Sequence, residues 1–326
     1  MVPEIHRVIF TEPQHAELLF ETIPTTPLGP HEVIGRTLVS LISAGTELAG
    51  YQNPAHRFGP SPGYAAVFQV TEVGEQINDL RPGDFAFCMG PHSSYQRMER
   101  EKLLPLPADL TPESAVFARM MSVSMSTLTT TTARPPATVL VTGLGQVGYF
   151  AARVFALCGY SVLASDPIEA RRHLLQGIPG IQTVPEVPLN DPQVVGNVAL
   201  ALECSGHEQA VLDACRIVRK RGEVVMIGLP WQRRTELFAH PLLSEIFHRY
   251  VVLRSGWEWE LPMHATEFRQ NSIWENLDAA LHWLSEGRLD TSNLYTVANP
   301  QHAGQIYRNL LQSPPEKLAT IFDWRD

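Results

Sequence analysis

The stretch Val139–Asp166, VLVTGLGQVGYFAARVFALCGYSVLASD, determines the fold of the chain around it. It begins with β-branched and apolar residues, which are typical of a buried strand, and runs into a Gly-x-Gly-x-x-Gly turn. Apolar residues then recur at helical spacing as far as Leu157, and a second short strand, Ser161–Ala164, leads to Asp166. This order of strand, glycine turn, helix, strand and acid predicts a dinucleotide-binding unit.

Each position in the glycine turn has a physical reason. Gly143 allows the tight turn, Gly145 lets the backbone approach a pyrophosphate, and Gly148 lets the helix pack closely on the strand. The helix that follows, with Gln146 and Val147 in its first turn, offers backbone N–H groups to the phosphates. We therefore predict that all five residues bind the cofactor.

The residues after the second strand predict which cofactor is bound. Asp166 lies where a carboxylate would accept the ribose hydroxyls, and it would repel a 2′-phosphate. Arg171 and Arg172 argue the other way, since a guanidinium can hold a 2′-phosphate. Because Arg171 can instead meet the adenosine ribose from the next helix, we predict NAD(H) rather than NADP(H), with Arg171 among the cofactor-binding residues.

The composition excludes several classes of partner. The chain has 326 residues, 18% of them charged, a net charge of −9 and no basic block, which argues against nucleic acid and membranes as partners. The N-terminus lacks a basic region followed by an apolar core, so no signal peptide is expected. No apolar run reaches about 18 residues, so no transmembrane helix is expected. No two cysteines form a C-x-x-C pair, so we predict no disulfide framework and a cytoplasmic location.

The pattern of the chain changes near residue 138. Residues 1–115 consist of short apolar runs between Pro- and Gly-rich turns, which favours a loop-rich β-barrel. A helix is predicted from Thr111, its N-cap, to about Thr131. Strands and helices then alternate to about residue 256. Strands are predicted near 183–184 and at 198–204, 222–227, 250–254 and 318–322, and helices at 208–218, 273–285 and 302–311.

The chain resembles the medium-chain dehydrogenase/reductase superfamily over nearly its full length. Besides the glycine turn, the matching pieces are Gly45–Leu48, Pro62–Tyr64, Val70–Gly74, Arg81–Asp84, Leu202–Gly206, Gly222–Pro230 and Arg254–Gly256. The resemblance implies an α/β protein with a chaperonin-10-like β-barrel domain at 1–119 and 260–326. It also implies a Rossmann domain, a doubly wound parallel sheet, at 120–259, and a homodimer through the edge of that sheet. In the phrases Ile42–Glu47 and Pro62–Tyr64 the chain is most similar to the bacteriochlorophyllide dehydrogenase branch.

The resemblance also implies further cofactor contacts where the later strands of the Rossmann domain end. The residues concerned are Ser205, Gly206, Gly228, Leu229 and Ser255.

The chain departs from the zinc-using members of this superfamily at their ligand positions. It has Ala44 where they carry Cys, Ala49 where they carry His, and Tyr64-Ala65 where they carry His-Glu; Arg119 falls near a further acidic ligand. Zinc needs three or four converging thiolate, imidazole or carboxylate ligands. We therefore predict that no metal is bound.

Without zinc, hydrogen-bond donors must stabilise the alkoxide that forms during hydride transfer. Thr46 matches the hydroxyl of the superfamily's proton relay, and its alternative role is to stabilise the turn. The Tyr64 phenol could donate to a carbonyl or merely fill the volume. The remaining candidates are Glu47, which more often pairs with an Arg, and His92 and Tyr95 on the loop that replaces the zinc lobe.

Arg119 is the charged residue that the catalytic candidates leave unassigned. A buried Arg is costly unless it is paired, so we expect it to pair with Glu47 or to meet an anionic substrate or cofactor phosphate.

These observations predict a zinc-independent, NAD(H)-dependent oxidoreductase that acts on an alcohol/ketone pair, with a small molecule as its substrate. The first alternative is a reductase of activated C=C bonds in enones or quinones, although such relatives usually prefer NADPH. The second alternative is a catalytically silent NAD-binding protein.

Overall fold

The computed structural model describes residues 4–22, 26–53, 61–228, 231–313 and 316–325. By their internal contacts they form two compact units, Met1–Arg119 with Asp278–Asp326, and Met120–Leu277. We refer to the first as the barrel unit and to the second as the Rossmann unit. The domain limits predicted from the sequence remain a prediction.

The strands, in chain order, are β1 (Glu4–Glu12), β2 (His15–Thr22), β3 (Glu32–Ile42), β4 (Ala66–Val73), β5 (Phe85–Cys88), β6 (Tyr95–Glu99), β7 (Leu103–Pro105), β8 (Thr138–Thr142), β9 (Ser161–Ser165), β10 (Ile181–Val184), β11 (Val198–Glu203), β12 (Val218–Met226), β13 (Val252–Ser255), β14 (Tyr295–Ala298) and β15 (Ala319–Asp323). The helices are α1 (Ala44–Gln52), α2 (Pro112–Ala115), α3 (Ala118–Thr130), α4 (Gln146–Leu157), α5 (Glu169–His173), α6 (Glu208–Ile217), α7 (Ala239–Arg249), α8 (Ile273–Ser285) and α9 (Ala303–Gln312). Short 3₁₀ turns occur at Arg100–Lys102, Glu258–Glu260 and Pro300–His302.

The Rossmann unit contains a parallel sheet with the strand order β10-β9-β8-β11-β12-β13. Counted along the chain this is the order 3-2-1-4-5-6 of a doubly wound dinucleotide-binding fold, which confirms the predicted fold class. All residues of β11 are buried, as expected for a central strand covered on both faces. The order reverses between β8 and β11, so the ends of these two strands mark the expected cofactor crevice.

The barrel unit contains a sheet with the strand order β14-β15-β3-β4-β5-β7, to which β6 adds by pairing with β3. The C-terminal strand β15 pairs antiparallel with β3, so both ends of the chain build this unit. A separate antiparallel hairpin is formed by β1 and β2. The long strand β3 therefore carries three neighbours and leads directly into α1, where the candidate chemical residues begin.

Three helical segments of the structure differ from the predicted elements. The predicted continuous helix 111–131 is wrong: it is divided into α2 and α3, although Thr111 does cap the first piece by accepting from Ser114 N at 3.3 Å. The helix α1 was not predicted, because Gly45 and Gly50 give this stretch a poor helix propensity. Nor was α7, whose early Pro241 is tolerated because it falls in the first turn. Among the described residues, no helix has the length and apolar character needed to cross a bilayer.

Candidate active site

The glycine turn has the geometry that its pattern predicts. Gly143 has a φ of +80°, and a Cβ there would lie 2.7 Å from Ser205 Cβ. A Cβ on Gly148 would lie 1.8 Å from the carbonyl oxygen of Gly143. A Cβ on Gly145, in contrast, would have no neighbour within 4 Å. Two of the glycines are therefore required by the packing of the turn itself, whereas Gly145 borders open space of the kind that a pyrophosphate would fill.

The helix α4 begins directly after this turn, with Gly145 as its N-cap. No side chain caps this end of the helix. Gln146 and Val147 are half-buried here. The N-terminus of a helix attracts anions, which supports the assignment of these residues to cofactor phosphate.

Asp166 is held against the turn rather than projecting into solvent. It is 2% exposed, and its carboxylate accepts from Leu144 N at 2.6 Å and from Ile168 N at 2.8 Å. The Arg171 guanidinium lies 3.3 Å from the same carboxylate. A carboxylate has about four acceptor positions, so accepting both ribose hydroxyls would require Arg171 to move away.

Glu203, to which the sequence analysis assigned no role, ends β11 beside the turn and is 1% exposed. Its carboxylate accepts from Ser205 N at 2.7 Å, from Gly206 N at 3.1 Å and from the Ser205 hydroxyl. Burial raises its pKa in spite of these donors. An acid at the end of an otherwise apolar strand was the signal available in the sequence.

The remaining predicted cofactor residues follow the ends of other strands in the same sheet. Gly228 lies beyond β12, and a Cβ there would lie 2.4 Å from Gly206 N, so these two backbones are in close contact. Ser255 ends the edge strand β13, and its hydroxyl accepts from Trp257 N at 3.1 Å. Leu229 lies outside the described residues.

The barrel unit brings several of the predicted catalytic residues together around Glu47. Glu47 is 4% exposed, and its carboxylate accepts from Ser43 N at 2.8 Å and from the Tyr307 hydroxyl at 2.5 Å. His92 Nε2 lies 3.1 Å from Oε2 of Glu47. Glu47 therefore supports the start of α1, with both of its carboxylate oxygens engaged.

His92 is fully buried, although a histidine on this loop would ordinarily be solvated. Its backbone N–H donates to the carbonyl of Pro62 at 2.9 Å, and its Nδ1 lies 2.7 Å from Ser40 Oγ. Gly63 has a φ of +97°, and a Cβ there would lie 2.5 Å from His92 N. His92 therefore holds the loop that carries Tyr64, one residue further on.

Tyr64 is the central residue of this cluster. Its hydroxyl donates to Ser43 Oγ, a residue that the sequence analysis missed, and it also hydrogen bonds to Thr46. The guanidinium carbon of Arg119 lies 4.9 Å from the centroid of the Tyr64 ring. Burial raises the pKa of Tyr64, and the charge of Arg119 partly opposes that rise. The structure thus stacks Arg119, which is 4% exposed, on Tyr64 instead of on Glu47.

Tyr95, the last predicted catalytic residue, is engaged on a different part of the unit. It begins β6, and its hydroxyl accepts from Arg36 Nε at 2.9 Å across the pairing with β3. This interaction links two strands, and the structure gives Tyr95 no link to Tyr64.

The side chains of this cluster do not fit a zinc ion. Within the described part of the chain, no group of three or more His, Cys, Asp or Glu side chains converges on a point where a metal could lie. Glu47 and His92 bond to each other, and the methyl groups of Ala44 and Ala65 offer no donor atom. A guanidinium stacked on Tyr64 would also repel a cation there.

Known proteins resemble this chain in sequence and in fold. No family model matches it. A sorbitol dehydrogenase of Halalkalibacterium halodurans is 24% identical over 66% of the chain, and the match spans 63% of that relative, slightly less than two thirds. The crystal structure of galactitol-1-phosphate dehydrogenase from Escherichia coli superposes with a TM-score of 0.82 at 16% identity, covering 98% of this chain and 99% of that one.

A protein of Sinorhizobium meliloti 1021, described as a zinc-binding dehydrogenase and solved bound to NADP, superposes with a TM-score of 0.81 at 16% identity. The superposition covers 98% of this chain and 99% of that protein. These likenesses extend over both units, so they confirm the fold class. The sequence relatives are dehydrogenases too, and with the glycine turn they indicate an enzyme of the medium-chain dehydrogenase/reductase type.

Proposed function

We propose that this enzyme transfers hydride between NAD(H) and an alcohol/ketone pair without zinc. The observation that carries the proposal is the cluster of Tyr64, Ser43 and Arg119. By the resemblance, Tyr64 and Arg119 correspond in sequence to positions at or near the metal ligands of zinc-using members, and the cluster supplies hydroxyl donors and a positive charge.

The nicotinamide, when bound, supplies or accepts the hydride. The carbonyl oxygen of the substrate gains negative charge during reduction, and it must be stabilised and protonated. The Tyr64 hydroxyl is the donor we assign to that oxygen: it gives up its hydrogen bond to Ser43 Oγ, passes its proton to the oxygen, and takes a replacement proton through the hydroxyls of Ser43 and Thr46. The high pKa of the buried phenol keeps it protonated at neutral pH, as a donor must be.

Arg119 gives this cluster its positive charge. Its guanidinium stacks on the Tyr64 ring, where it stabilises negative charge on the phenol or on an oxygen bonded to it. We propose that this charge takes over part of the electrostatic role that zinc has in metal-dependent relatives.

We propose NAD(H) as the preferred cofactor because Asp166 lies against the glycine turn. Its carboxylate would repel a 2′-phosphate nearby, and Arg171 is already engaged by the same carboxylate. Dissociation constants for NADH and NADPH test this preference, with Asp166→Ala as the comparison. Tighter binding of NADPH than of NADH by the wild-type protein would contradict it.

The reaction is tested with NADH and a panel of ketones, enones and quinones, together with elemental analysis of protein prepared without chelators. Turnover of ketones alone, by metal-free protein, supports the proposal. Turnover of enones or quinones would favour C=C reduction, and tight binding of NADH without any turnover would favour a silent binding protein. Stoichiometric zinc would show that the metal-free assignment is wrong.

We also propose that the protein is a cytoplasmic homodimer. The edge strand β13 leaves one side of the Rossmann sheet open for pairing, and Val252 on it is 47% exposed. The cysteines of the chain are all free, which suits a reducing compartment. Sedimentation measures the oligomeric state directly.

A further inference from the structure

We propose that Glu203 is a positioning residue for the cofactor: it holds the two backbone segments, after β11 and after β12, that border the glycine turn of the dinucleotide site. The inference rests on the assignment of that site to NAD(P), and it adds a residue that does not contact the reacting atoms. All of the groups concerned lie within the Rossmann unit.

Glu203 makes hydrogen bonds to two backbone segments, through its side chain and through its own carbonyl oxygen. Its carboxylate accepts from the backbone N–H groups of Ser205 and Gly206 and from the Ser205 hydroxyl. Its own carbonyl oxygen accepts from Ile227 N at 2.8 Å and from Gly228 N at 2.7 Å. A single residue thus organises the segments that follow β11 and β12.

These segments press on the glycine turn. A Cβ on Gly143 would lie 2.8 Å from both the Cα and the N of Ser205. The position of the 204–206 segment therefore sets the position of the turn, and through it the backbone that faces the cofactor phosphates. Thr142, which ends β8 just before the turn, places its hydroxyl 3.5 Å from the Glu203 carboxylate.

The arrangement tolerates little displacement. Glu203 is 1% exposed, so a lost acceptor would leave buried donors without water to replace it. The segments would then move to find other partners. Since Gly228 and Gly206 already touch backbone to backbone, such movement changes the shape of the site.

The test compares two buried carboxylates in neighbouring strands of one sheet. Glu223 on β12 is 6% exposed and accepts from Thr132 N at 2.8 Å and from Thr131 Oγ1 at 3.1 Å, at the end of α3. Replacing either glutamate by Leu removes a buried acceptor. We expect Glu203→Leu to raise the dissociation constant for NADH by about tenfold or more, and Glu223→Leu to leave it within about twofold, while both lower the melting temperature.

The conservative variant Glu203→Gln distinguishes the acceptor from the charge. Its amide oxygen can still accept from Ser205 and Gly206, so we expect NADH binding within about threefold of wild type. If Glu203→Leu fails to fold, Ser205→Ala takes its place, because it removes one partner of Glu203 and should weaken binding by about threefold.

Three results would overturn the inference. The first is wild-type affinity in Glu203→Leu, or in Ser205→Ala where that variant replaces it. The second is an equal loss of affinity in Glu203→Leu and Glu223→Leu, which would indicate general destabilisation. The third is a wild-type protein that binds neither NADH nor NADPH, in which case the cofactor site itself is misassigned and the inference falls with it. Normal wild-type binding separates the first two results from a failure of the proposed function.

Discussion

The glycine turn of the Rossmann unit and the Tyr64 cluster of the barrel unit are the two candidate sites of the chain, and different groups shape them. In the turn, backbone segments pack closely against each other, so there is no space for a side chain at Gly143 or Gly148. In the Tyr64 cluster, side chains from distant parts of the chain meet: Tyr307 and His92 hold Glu47, which in turn holds Ser43. A site made of backbone keeps its sequence pattern, whereas a site made of side chains can exchange one chemistry for another while the fold stays the same.

The largest expected effect is on NADH affinity, and it comes from a substitution at Gly145 that should leave folding unchanged. Gly145→Val places its side chain in open space, so the protein should stay folded. The same side chain would occupy the space of the pyrophosphate, and we expect NADH to bind at least about a hundredfold more weakly. Titration of NADH and thermal melting measure the two properties separately.

Gly148→Ala is the matched variant for this prediction. Its Cβ would overlap the carbonyl oxygen of Gly143, so it should lower the melting temperature itself. Normal NADH binding by Gly145→Val would show that the glycine turn has been misinterpreted.

The next effect concerns the hydroxyl of Tyr64. Tyr64→Phe keeps the ring under Arg119 and removes only the donor, so we expect kcat/KM for ketone reduction to fall about a hundredfold while NADH affinity is kept. Thr46→Val should have a smaller effect of the same kind. Tyr160→Phe is the control, because it removes a buried hydroxyl that donates to Ala133 O at 3.0 Å in the other unit.

Near wild-type turnover in both Tyr64→Phe and Thr46→Val would mean that the cluster is packing and not chemistry. A loss of turnover in Tyr160→Phe equal to that in Tyr64→Phe would point to general destabilisation.

A smaller effect is expected from the charge of Arg119. Arg119→Met keeps an apolar stem against the Tyr64 ring and removes the guanidinium, so we expect kcat/KM to fall about tenfold. Arg119→Lys keeps the charge, so its kcat/KM should fall less than that of Arg119→Met. If the Met and Lys variants are equally slow, the shape of Arg119 matters and its charge does not.

The smallest effect compares the two buried carboxylates of the Rossmann unit as the pH changes. Burial raises the pKa of Glu203, so the stability it contributes is complete below its ordinary value of 4.5 and declines as the pH rises through the folded pKa. Burial also acts on Glu223, but hydrogen bonds from Thr132 and Thr131 outweigh it and lower its pKa. The stability from Glu223 is therefore present above 4.5 and is lost as the pH falls through its folded pKa.

Unfolding of the wild type, Glu203→Gln and Glu223→Gln at a series of pH values from acid to neutral checks this prediction. As the pH rises, the free energy of unfolding of the wild type should increase relative to that of Glu223→Gln. As the pH falls, it should increase relative to that of Glu203→Gln. Each change should be on the order of 1 kcal/mol. Parallel curves for all three proteins would contradict it.

The strands of the Rossmann unit were predicted well, because buried parallel strands are continuous apolar runs and their turns require glycine. The strands β10, β11 and β13 and the helix α6 lie within a few residues of their predicted positions. The helix α1 was missed because its residues carry a local signal for a turn, and packing against β1 and α9 outweighs it.

The amino-acid sequence by itself determined the dinucleotide turn and the fold class, and it shows Ala44, Ala49 and Tyr64 at the positions that correspond to zinc ligands in the superfamily it resembles, since each is visible in neighbouring residues. Only the tertiary structure decided what surrounds Tyr64. Ser43, Tyr307 and Arg119 are far apart along the chain, and no local pattern shows that they converge. Glu203 is the same case: its acid is visible in the sequence, but the segments it joins come together only when the strands pair, because hydrogen bonds across a parallel sheet link residues that are distant in the chain.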